Sequence, residues 1–456
     1  MVKYNCEKCG KEFSQKSSYT KHVNRKTPCS NENKKEENVI VQNINTNVNN
    51  GLLETFEYSL MSKELTNKLS KIEKQNDGIY FTPPSCINNN IQLLTPYMKN
   101  VKNVLEPSCG SGEYITALNS LFPEISITGI EYNNTIFQSV SQLNNDNISI
   151  INANYLQYIT SVKYDLIIGN PPYYVMKKED VEKDYYNYFD GRPNIFILFI
   201  IKSLTLLNDN GILSFILPTN FLNCLYYEKT RKYIGNHFQI LHIVDCKDDK
   251  FIDTQQDTIN LIIQKSTHVN NSKFILEKNS YTIFANENNN KELVRLYENS
   301  KSLWELGFKV SVGNVVWNQC KDILSEDESK TLLIYSSDIT NNTFVQKKYN
   351  NNEKKNYINK QGINRPMIVI NRGYGVGEYK FNHCLIEGKR EYLVENHLIC
   401  IECKTEMPHD ELINMYKKIL LSFDDSRTID FIKLYFGNNA INTTELNHIL
   451  PIFQDI

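Results

Sequence analysis

VLEPSCGSGEYITAL, residues 104–118, joins an apolar run, a turn with two glycines and a helical pattern. Gly110 and Gly112 have no side chain, so the backbone of this turn can approach a ligand closely. The turn lacks the G-x-G-x-x-G spacing of dinucleotide-binding proteins. We therefore predict a strand, a ligand-binding turn and a helix, which together begin an α/β fold.

Short apolar runs alternate with helical stretches along the next part of the chain. They are VKNVL, ISITGIE, ISII, YDLIIG, GILSFILP, QILHIVD and TINLIIQK, between residues 101 and 265. This alternation predicts a doubly wound, Rossmann-like sheet that is mostly parallel. The last two runs are joined by a short segment without a helical period, so we expect them to be able to pair antiparallel.

Changes in composition predict four segments. Residues 1–30 contain three of the 11 cysteines, and residues 31–50 are polar and Asn-rich, as in a flexible linker. Residues 51–270 contain the α/β pattern and begin with an amphipathic helix at 52–75. Residues 271–456 mix strands, turns and basic stretches, which we interpret as a separate α/β domain ending in a docking helix at 443–453.

The bulk composition is that of an ordinary globular protein, with 41% hydrophobic and 22% charged residues. No apolar run reaches the roughly 20 residues of a membrane span, and the N-terminus lacks the apolar core of a signal peptide. The scattered cysteines favour a reducing compartment. We expect an intracellular, cytoplasmic protein without a membrane partner, or one in the cytoplasm or nucleus of a host if it is viral.

Positive charge is concentrated in two places although the net charge is only −2. Residues 1–30 contain seven Lys or Arg against two Glu, and residues 346–392 contain ten against four. Local basic surface is what contacts with phosphates require. These two segments are therefore candidates for binding a nucleic acid.

Cys6, Cys9, His22 and Cys29 form the spacing C-x2-C-x12-H-x6-C, with Phe13 and Tyr19 between them. Thiolates from a hairpin and ligands from a helix bind structural zinc in ββα fingers. The pattern resembles the classical zinc finger in a variant with Cys as the fourth ligand, although its last gap is longer than usual. The alternative is a set of unrelated surface cysteines. A second pair, Cys400 and Cys403, lies in a strand pattern without partner ligands.

Two acidic residues stand where predicted strands end. Glu106 can meet an ammonium group, and Glu131 in ITGIEYN can accept hydrogen bonds from ribose hydroxyls. A ligand with an ammonium group and a ribose favours S-adenosylmethionine over a nucleotide phosphate. For each acid alone, the alternative is a solvated carboxylate at a strand end.

DLIIGNPPYY, residues 165–174, ends another buried strand in an asparagine, two prolines and two tyrosines. Proline removes a backbone donor and fixes an extended turn, so we expect Asn170 and Tyr173 to be presented rather than packed. In order, EPSCGSG, GIE and GNPPY resemble motifs I, II and IV of the gamma class of N6-adenine DNA methyltransferases. GIYFTPP, residues 78–84, is similar to motif X of that class.

The resemblance implies a role for each matching residue. Asn170 and the Pro171 carbonyl would hold the target amine, with Tyr173 and Phe251 on the two faces of the flipped base. Thr82 and Pro83 would border the methionine part of the cofactor. Cofactor contacts would come from the remaining matching residues, which are Glu106, Pro107, Gly110, Gly112, Glu131, Asn154, Tyr155 and Asn170. Asn154 stands where the family commonly has Asp, which leaves an acceptor without charge.

The C-terminal segments 312–324 and 364–381 resemble parts of recognition domains in this family. Independently, basic and aromatic residues interleave between 344 and 392, as in surfaces that contact phosphates and bases. They are Lys347, Lys348, Arg365, Arg372, Lys389, Arg390, Tyr349, Tyr357, Tyr374, Tyr379 and Phe381. A solvated strand face is the alternative, while Gly373, Gly375 and Gly377 predict a flexible loop.

Together these features predict a zinc-finger domain (1–30), a linker (31–50), an S-adenosylmethionine-dependent catalytic domain (51–270) and a DNA target-recognition domain (271–456). The expected reaction is site-specific methylation of adenine N6 in duplex DNA by a monomer, alongside a restriction endonuclease that acts separately. Protein glutamine and RNA base methyltransferases also carry NPPY, so they are the alternatives among enzymes. A DNA-binding module that has lost catalysis is the alternative outside enzymes, supported only by Asn154.

Overall fold

In the described part of the chain, seven strands form one large sheet. They are β1 (Asn103–Glu106), β2 (Ser126–Glu131), β3 (Ile148–Asn152), β4 (Tyr164–Gly169), β5 (Leu207–Pro218), β6 (Gln239–Asp245) and β7 (Thr258–Gln264). Their order in the sheet is β3-β2-β1-β4-β5-β7-β6. The first five are parallel, whereas β7 is antiparallel to both β5 and β6. This confirms the predicted α/β sheet and the antiparallel pairing of its last two strands.

The structure is a computed structural model, and it describes residues 57–246, 251, 256–349, 353–372, 380–436 and 441–456. Near the N-terminus it also describes Tyr4–Asn5, Glu12–Phe13 and residues 19–20. The chain forms two compact units, Met1–Gly51 and Leu52–Ile456. The predicted boundaries at residues 30, 50 and 270 stay predictions.

Alternate side chains of the strands pack on opposite faces of the sheet, as the period of two requires. Leu105, Ile167 and Leu213 belong to one hydrophobic cluster, and their preceding neighbours belong to another. Seven helices accompany the sheet in the described residues: α1 (Leu60–Lys68), α2 (Lys71–Asp77), α3 (Pro84–Leu94), α4 (Glu113–Leu121), α5 (Asn134–Val140), α6 (Ile195–Leu206) and α7 (Glu228–His237). Helix α6 packs in the first cluster and α3 in the second.

The single helix predicted for residues 52–75 is wrong in its bounds, because the structure has two helices there. Ser59 caps α1 by accepting a hydrogen bond from the Ser62 backbone, and Ser70 caps α2 in the same way. Leu69 between them is extended. A second capping serine starts a new helix with a new direction, which the apolar spacing alone does not reveal.

The C-terminal part contains two four-stranded sheets and several helices. One sheet has the order Phe308–Val312, Leu398–Cys403, Met367–Asn371, His383–Ile386, and the other has Leu324–Ser325, Tyr357–Ile358, Thr331–Ile334, Tyr392–Val394. The described residues of this part also contain a hairpin (Ile275–Lys278, Tyr281–Phe284) and two shorter ladders. The helices are α8 (Glu287–Tyr297), α9 (His409–Asp424), α10 (Ser426–Phe431), the π-helix Ile432–Phe436 and α11 (Thr443–His448).

The tail predicted as a docking helix combines a helix and a strand. After α11, Ile452–Phe453 pairs antiparallel with Ser300–Lys301. Within the described residues, no helix is long and apolar enough to cross a membrane.

The predicted zinc ligands Cys6, Cys9, His22 and Cys29 lie outside the described residues, as do Gly373, Gly375 and Gly377. In the N-terminal unit, Tyr4–Asn5 pairs antiparallel with Glu12–Phe13, and residues 19–20 are helical. No group of three or more metal-ligating side chains occurs in the part of the chain that the structure describes. Cys400 and Cys403 pack into different hydrophobic clusters, as expected for strand residues on opposite faces.

Candidate active site

A cavity of about 320 Å³ lies at the carboxyl edge of the sheet, where β1, β2 and β4 end. This is the edge at which open α/β sheets bind ligands, and the volume is at the lower end of the usual range. The cavity is lined by residues 76–81, 107, 108, 110, 131–133, 136, 153–156, 170, 172, 174, 176, 195 and 199. Predicted site residues that line it are Pro107, Gly110, Glu131, Asn154, Tyr155 and Asn170.

The two glycines of the turn after β1 have different roles. Both have positive φ, 51° at Gly110 and 75° at Gly112. Gly110 lines the cavity, and its N–H donates to Glu131 at 2.9 Å. Gly112 does not line it; a Cβ at Gly112 would lie 2.5 Å from Leu143. The absent side chain of Gly112 therefore serves packing against the turn after α5.

Glu131 is held at the end of β2 by two backbone donors. Its carboxylate accepts from Gly110 N at 2.9 Å and from Asn133 N at 2.7 Å. Burial raises the pKa of Glu131 to about 7, against the opposing effect of these hydrogen bonds. The side chain thus changes charge near neutral pH inside the cavity.

Glu106 ends β1 and is only 4% exposed. Its Oε2 has no hydrogen-bond partner among the described residues. Burial, and then the negative charge of Glu131, holds the pKa of Glu106 well above its usual range. Glu106 is not among the residues that line the cavity, although Pro107 and Ser108 directly after it are. A buried carboxyl that lacks a donor is suited to a cationic or hydrogen-bonding ligand group.

The wall contributed by residues 76–81 was largely missed from sequence. Asn76, Asp77 and Gly78 line the cavity at the end of α2, ahead of the predicted contact Thr82. Thr82 itself is buried and does not line it. Gly78 is a left-handed C-cap of α2, and Glu73 of that helix accepts from Asn133 at 3.2 Å. The sequence Asn-Asp-Gly at 76–78 is typical of a helix end and could have indicated that the chain turns here.

Asn154 and Tyr155 begin a short 3₁₀ turn beside the cavity. The Asn154 side-chain oxygen accepts from Leu156 N at 3.0 Å, so the acceptor predicted for the cofactor adenine already caps this turn. A carboxamide oxygen has two lone pairs, which leaves one available. The Tyr155 hydroxyl is paired with Ser203 at 2.8 Å, and Tyr155 is one of the residues that line the cavity.

The Asn-Pro-Pro-Tyr turn follows β4 directly. Asn170 lines the cavity, and its Nδ2 donates to the Tyr80 carbonyl at 3.3 Å. The Tyr173 hydroxyl lies 2.7 Å from Asn170 Oδ1 and 2.8 Å from the Ile216 carbonyl. A hydroxyl has one proton, so it can fully satisfy only one of these acceptors at a time.

Tyr173 is partly buried rather than freely presented. Its ring packs edge-on against Phe196 of α6, with centroids 5.9 Å apart. The next residue, Tyr174, lines the cavity instead. Pro171 is buried. The stacking of the Tyr173 ring on a base stays a prediction. The base would have to fit beside a ring whose hydroxyl contacts Asn170, or that contact would have to break.

Phe251 is half-buried and packs against the hydrophobic cluster of α3. It does not line the cavity. Its predicted place on the second face of the base stays a prediction.

The basic C-terminal residues are partly paired within the protein. Arg365 pairs with Glu402 and Lys389 with Glu387, while Arg390 donates to the Glu328 and Lys330 carbonyls. Lys347, Lys348 and Arg372 are exposed. Tyr357 is buried, Phe381 packs on Phe423, and Tyr349 donates to Asp338 at 2.7 Å. These three aromatic side chains therefore pack inside the domain, while Tyr374 and Tyr379 lie outside the described residues.

Comparisons with known proteins show what this chain is similar to. Type II methyltransferase M.CvrRI of Paramecium bursaria Chlorella virus XZ-6E is 28% identical over 404 residues, which cover 86% of this chain and 98% of that protein. Modification methylase CviBIII of Paramecium bursaria Chlorella virus NC1A is 32% identical over 214 residues, 46% of this chain and 55% of that protein. The crystal structure of the type IIG restriction endonuclease BpuSI aligns over 87% of this chain and 60% of its own, with 11% identity and a TM-score of 0.41.

A match to a protein family covers the glycine-rich turn, both acids and the Asn-Pro-Pro-Tyr turn. Residues 17–252, more than half of the chain, match the family described as Eco57I restriction-modification methylase. The chain therefore belongs to the Eco57I restriction-modification methylase family.

Proposed function

We propose that this protein is a site-specific DNA methyltransferase of the gamma class, which methylates adenine N6 in duplex DNA with S-adenosylmethionine as methyl donor. The observation that carries the proposal is the place of Asn170. It lies at the wall of the cavity, on a turn that two prolines stiffen. Its Oδ1 and the Ile216 carbonyl compete for the single proton of the Tyr173 hydroxyl. Membership of a methylase family and the Type II methyltransferase relatives support the same reaction.

The cavity fits S-adenosylmethionine by the chemistry of its lining. Glu131 offers carboxylate oxygens to ribose hydroxyls, and Gly110 leaves space for close approach to the backbone. Glu106, with a buried oxygen that lacks a donor, would meet the ammonium group through the cavity edge. When bound, the cofactor supplies a methyl group on a positively charged sulfonium.

Asn170 would hold the target amine for attack. The amine of adenine is a poor nucleophile because its lone pair is delocalised into the ring. Acceptance of its two hydrogens by Asn170 Oδ1 and the Pro171 carbonyl would return electron density to nitrogen and orient it. In the free protein Asn170 Oδ1 accepts from the Tyr173 hydroxyl, and its second lone pair is available for a hydrogen of the amine.

The target base must leave the duplex, because pairing and stacking otherwise bury its amine. Tyr173 would stack on one face of the extruded base and Phe251 on the other. The exposed cations Lys347, Lys348 and Arg372 would contact phosphates of the duplex. We further propose that the protein acts inside the cell as a monomer, alongside a separate restriction endonuclease.

Residues 1–30 would form a structural zinc finger with Cys6, Cys9, His22 and Cys29 as ligands. The strand pair Tyr4–Asn5 with Glu12–Phe13, followed by helical residues 19–20, has the order of a ββα finger. Purified protein should contain one zinc per chain, and replacement of Cys6 and Cys9 by Ser should remove it. Metal-free wild-type protein would contradict this assignment.

The function is tested by transfer of labelled methyl groups to unmethylated duplex DNA, RNA and protein in parallel. We expect label only in DNA, and nucleoside digestion should give N6-methyldeoxyadenosine. Label in RNA or in a glutamine amide would replace the proposal by one of the alternative methyltransferases. Bound cofactor without transfer to any substrate would reject the reaction itself.

A further inference from the structure

Three neighbouring buried polar atoms lie where β5 ends and β7 begins, outside the cavity already described. They are Thr219 Oγ1, Asn220 Oδ1 and Thr258 Oγ1, and none has a hydrogen-bond partner in the described parts of the chain. Thr258 is only 2% exposed. Buried polar atoms in proteins are nearly always paired, so three such atoms in adjacent segments that lack a partner among the described residues are candidates for binding a ligand.

These atoms are held together by backbone pairing. Thr258 pairs with Pro218 in the β5–β7 ladder, and Thr219 N donates to the Asp257 carbonyl at 3.1 Å. Asn220 follows Thr219 in a 3₁₀ turn, Thr219–Leu222. Because residues paired across a ladder share a face, Thr258 lies on the same face of the sheet as Pro218 and Ile216.

Two residues proposed to hold the base are connected to these strand ends, Tyr173 by a hydrogen bond and Phe251 through its hydrophobic cluster. The Ile216 carbonyl accepts from the Tyr173 hydroxyl at 2.8 Å. Ile216 and Phe251 pack in the same hydrophobic cluster. Cys246 N, just before the loop with Phe251, donates to the Thr258 carbonyl at 2.9 Å. Tyr173 itself packs against the cluster on the opposite face, which also contains Leu217 and Phe221. The end of β5, next to the unpaired atoms, therefore contributes both to the cluster with Tyr173 and to the cluster with Phe251.

The turn is fixed rather than free to find other partners. Buried Arg231 donates to the Phe221 carbonyl at 2.9 Å and to the Cys224 carbonyl at 2.7 Å. Asn223 donates to the Tyr435 carbonyl in the π-helix. These bonds hold the C-terminal side of the turn, and the bond from Thr219 N to the Asp257 carbonyl holds its start, so the backbone of Thr219 and Asn220 is fixed at both ends of the turn.

We propose that Thr219, Asn220 and Thr258 form the polar floor of the target-base site. The two threonine hydroxyls donate to ring nitrogens of the extruded base, which are acceptors in adenine, while Asn170 and Pro171 take its amine hydrogens. The Asn220 carboxamide lies next to them and can present its oxygen or its nitrogen. This inference rests on the proposed function and adds the residues that read the ring rather than the amine.

Thr→Val substitution separates this role from a structural one. Valine keeps the shape and removes a hydroxyl that has no partner among the described residues, so Thr219→Val and Thr258→Val should leave Tm unchanged or raise it. Each should lower kcat/KM for unmethylated duplex DNA about tenfold, the effect of one lost hydrogen bond. Cofactor Kd should not change. Thr219→Ser and Thr258→Ser, which keep the hydroxyl, should restore activity.

Thr230→Val is the matched control, because the Thr230 hydroxyl is satisfied by the Tyr188 carbonyl at 2.6 Å. It should lower Tm and leave the specific activity of folded protein unchanged. Three results would overturn the inference. They are full activity of Thr219→Val and Thr258→Val, a loss of activity that accompanies a lower Tm, and Ser variants that do not restore activity. Wild-type protein is assayed first; if it does not methylate DNA, the proposed function fails before the variants are compared.

Discussion

Asn170 is the residue on which the proposed chemistry depends. At saturating cofactor, Asn170→Ala should lower kcat for DNA methylation by about 10²- to 10³-fold, as removal of one fixed transition-state contact does elsewhere. Asn170→Gln keeps the carboxamide and moves its oxygen by one methylene, so it should lose activity as well. Rates come from single-turnover transfer of labelled methyl groups.

Cofactor affinity of these variants needs its own measurement, because Asn170 lines the cavity. Calorimetric titration gives the concentration that saturates each variant. Methylation at the wild-type rate by Asn170→Ala would show that the amine is held by other groups.

Glu131 should make cofactor binding depend on pH. Its pKa of about 7 means that the carboxylate form, the better acceptor for ribose hydroxyls, increases as pH rises from 6 to 8. Cofactor Kd should therefore fall over this range in wild-type protein and stay nearly constant in Glu131→Gln. Titration calorimetry at several pH values measures both proteins, and parallel curves would exclude Glu131 as the titrating group.

The stability of the free protein should change with pH in the opposite sense. The folded pKa of Glu131 is above its usual value of 4.5, so the unfolded state releases this proton first as pH rises. The free energy of unfolding should decrease between about pH 4.5 and 7. Buried Glu445, with a pKa also raised to about 7, adds a contribution of the same sign. Denaturant unfolding of the double variant Glu131→Gln, Glu445→Gln should have a weaker pH dependence than wild type.

At the scale of elements, Gly112 in the turn between β1 and α4 has a matched control in Gly307, which lies elsewhere in the chain. Gly307 also has positive φ, 84°, but a Cβ there meets nothing within 4 Å, so Gly307→Ala measures backbone strain alone, about 1 kcal/mol. Gly112→Ala adds a clash with Leu143 and should destabilise the protein by about 1–3 kcal/mol more. Urea unfolding compares the two, and equal losses would show that the Leu143 contact relaxes freely.

Gly110→Ala should separate binding from stability in the same turn. A Cβ at Gly110 comes only within 3.6 Å of Phe81, which is an ordinary contact. Its loss of stability should resemble that of Gly307→Ala, while cofactor Kd should rise because Gly110 lines the cavity. Unchanged cofactor affinity would show that the ligand does not approach this backbone position.

At the scale of the whole molecule, Arg231 connects the large sheet to the C-terminal strands. This fully buried guanidinium donates to Glu228 at 2.8 Å and to the Thr282 carbonyl at 2.7 Å, in addition to the turn after β5. Arg231→Met should destabilise the protein by about 3–5 kcal/mol, because it removes the donor from three backbone carbonyls and one of the two cationic partners of Glu228, which also pairs with Lys232 at 3.3 Å. The double variant Glu228→Leu, Arg231→Met should recover part of the loss.

Lys229→Met on the same helix is the control for this prediction. Lys229 pairs with Asp190 at 2.6 Å, but both side chains are largely exposed, so the expected loss is below about 1 kcal/mol. Equal losses for Lys229→Met and Arg231→Met in urea unfolding would contradict the special role of the buried group.

The order of the motifs predicted several of the residues that line the cavity. Parallel strands with intervening helices place their carboxyl ends at one edge of the sheet. This brings together the strand ends at Glu131 and Asn170 and the glycine turn at Gly110. Gly112 shows the limit of this argument, since two glycines in one turn look equivalent until the distance to Leu143 is known.

The amino-acid sequence by itself determined the α/β sheet, its strand periods and the residue types at the carboxyl edge, because these depend on local patterns and on rules of chain connection. Only the tertiary structure decided that Asn76 and Asp77 line the cavity, that the Tyr173 hydroxyl contacts Asn170 Oδ1, and that Thr219 Oγ1 and Thr258 Oγ1 have no hydrogen-bond partner among the described residues. Such facts depend on distances between segments far apart in the chain. No local pattern encodes those distances, because they result from packing of the whole core.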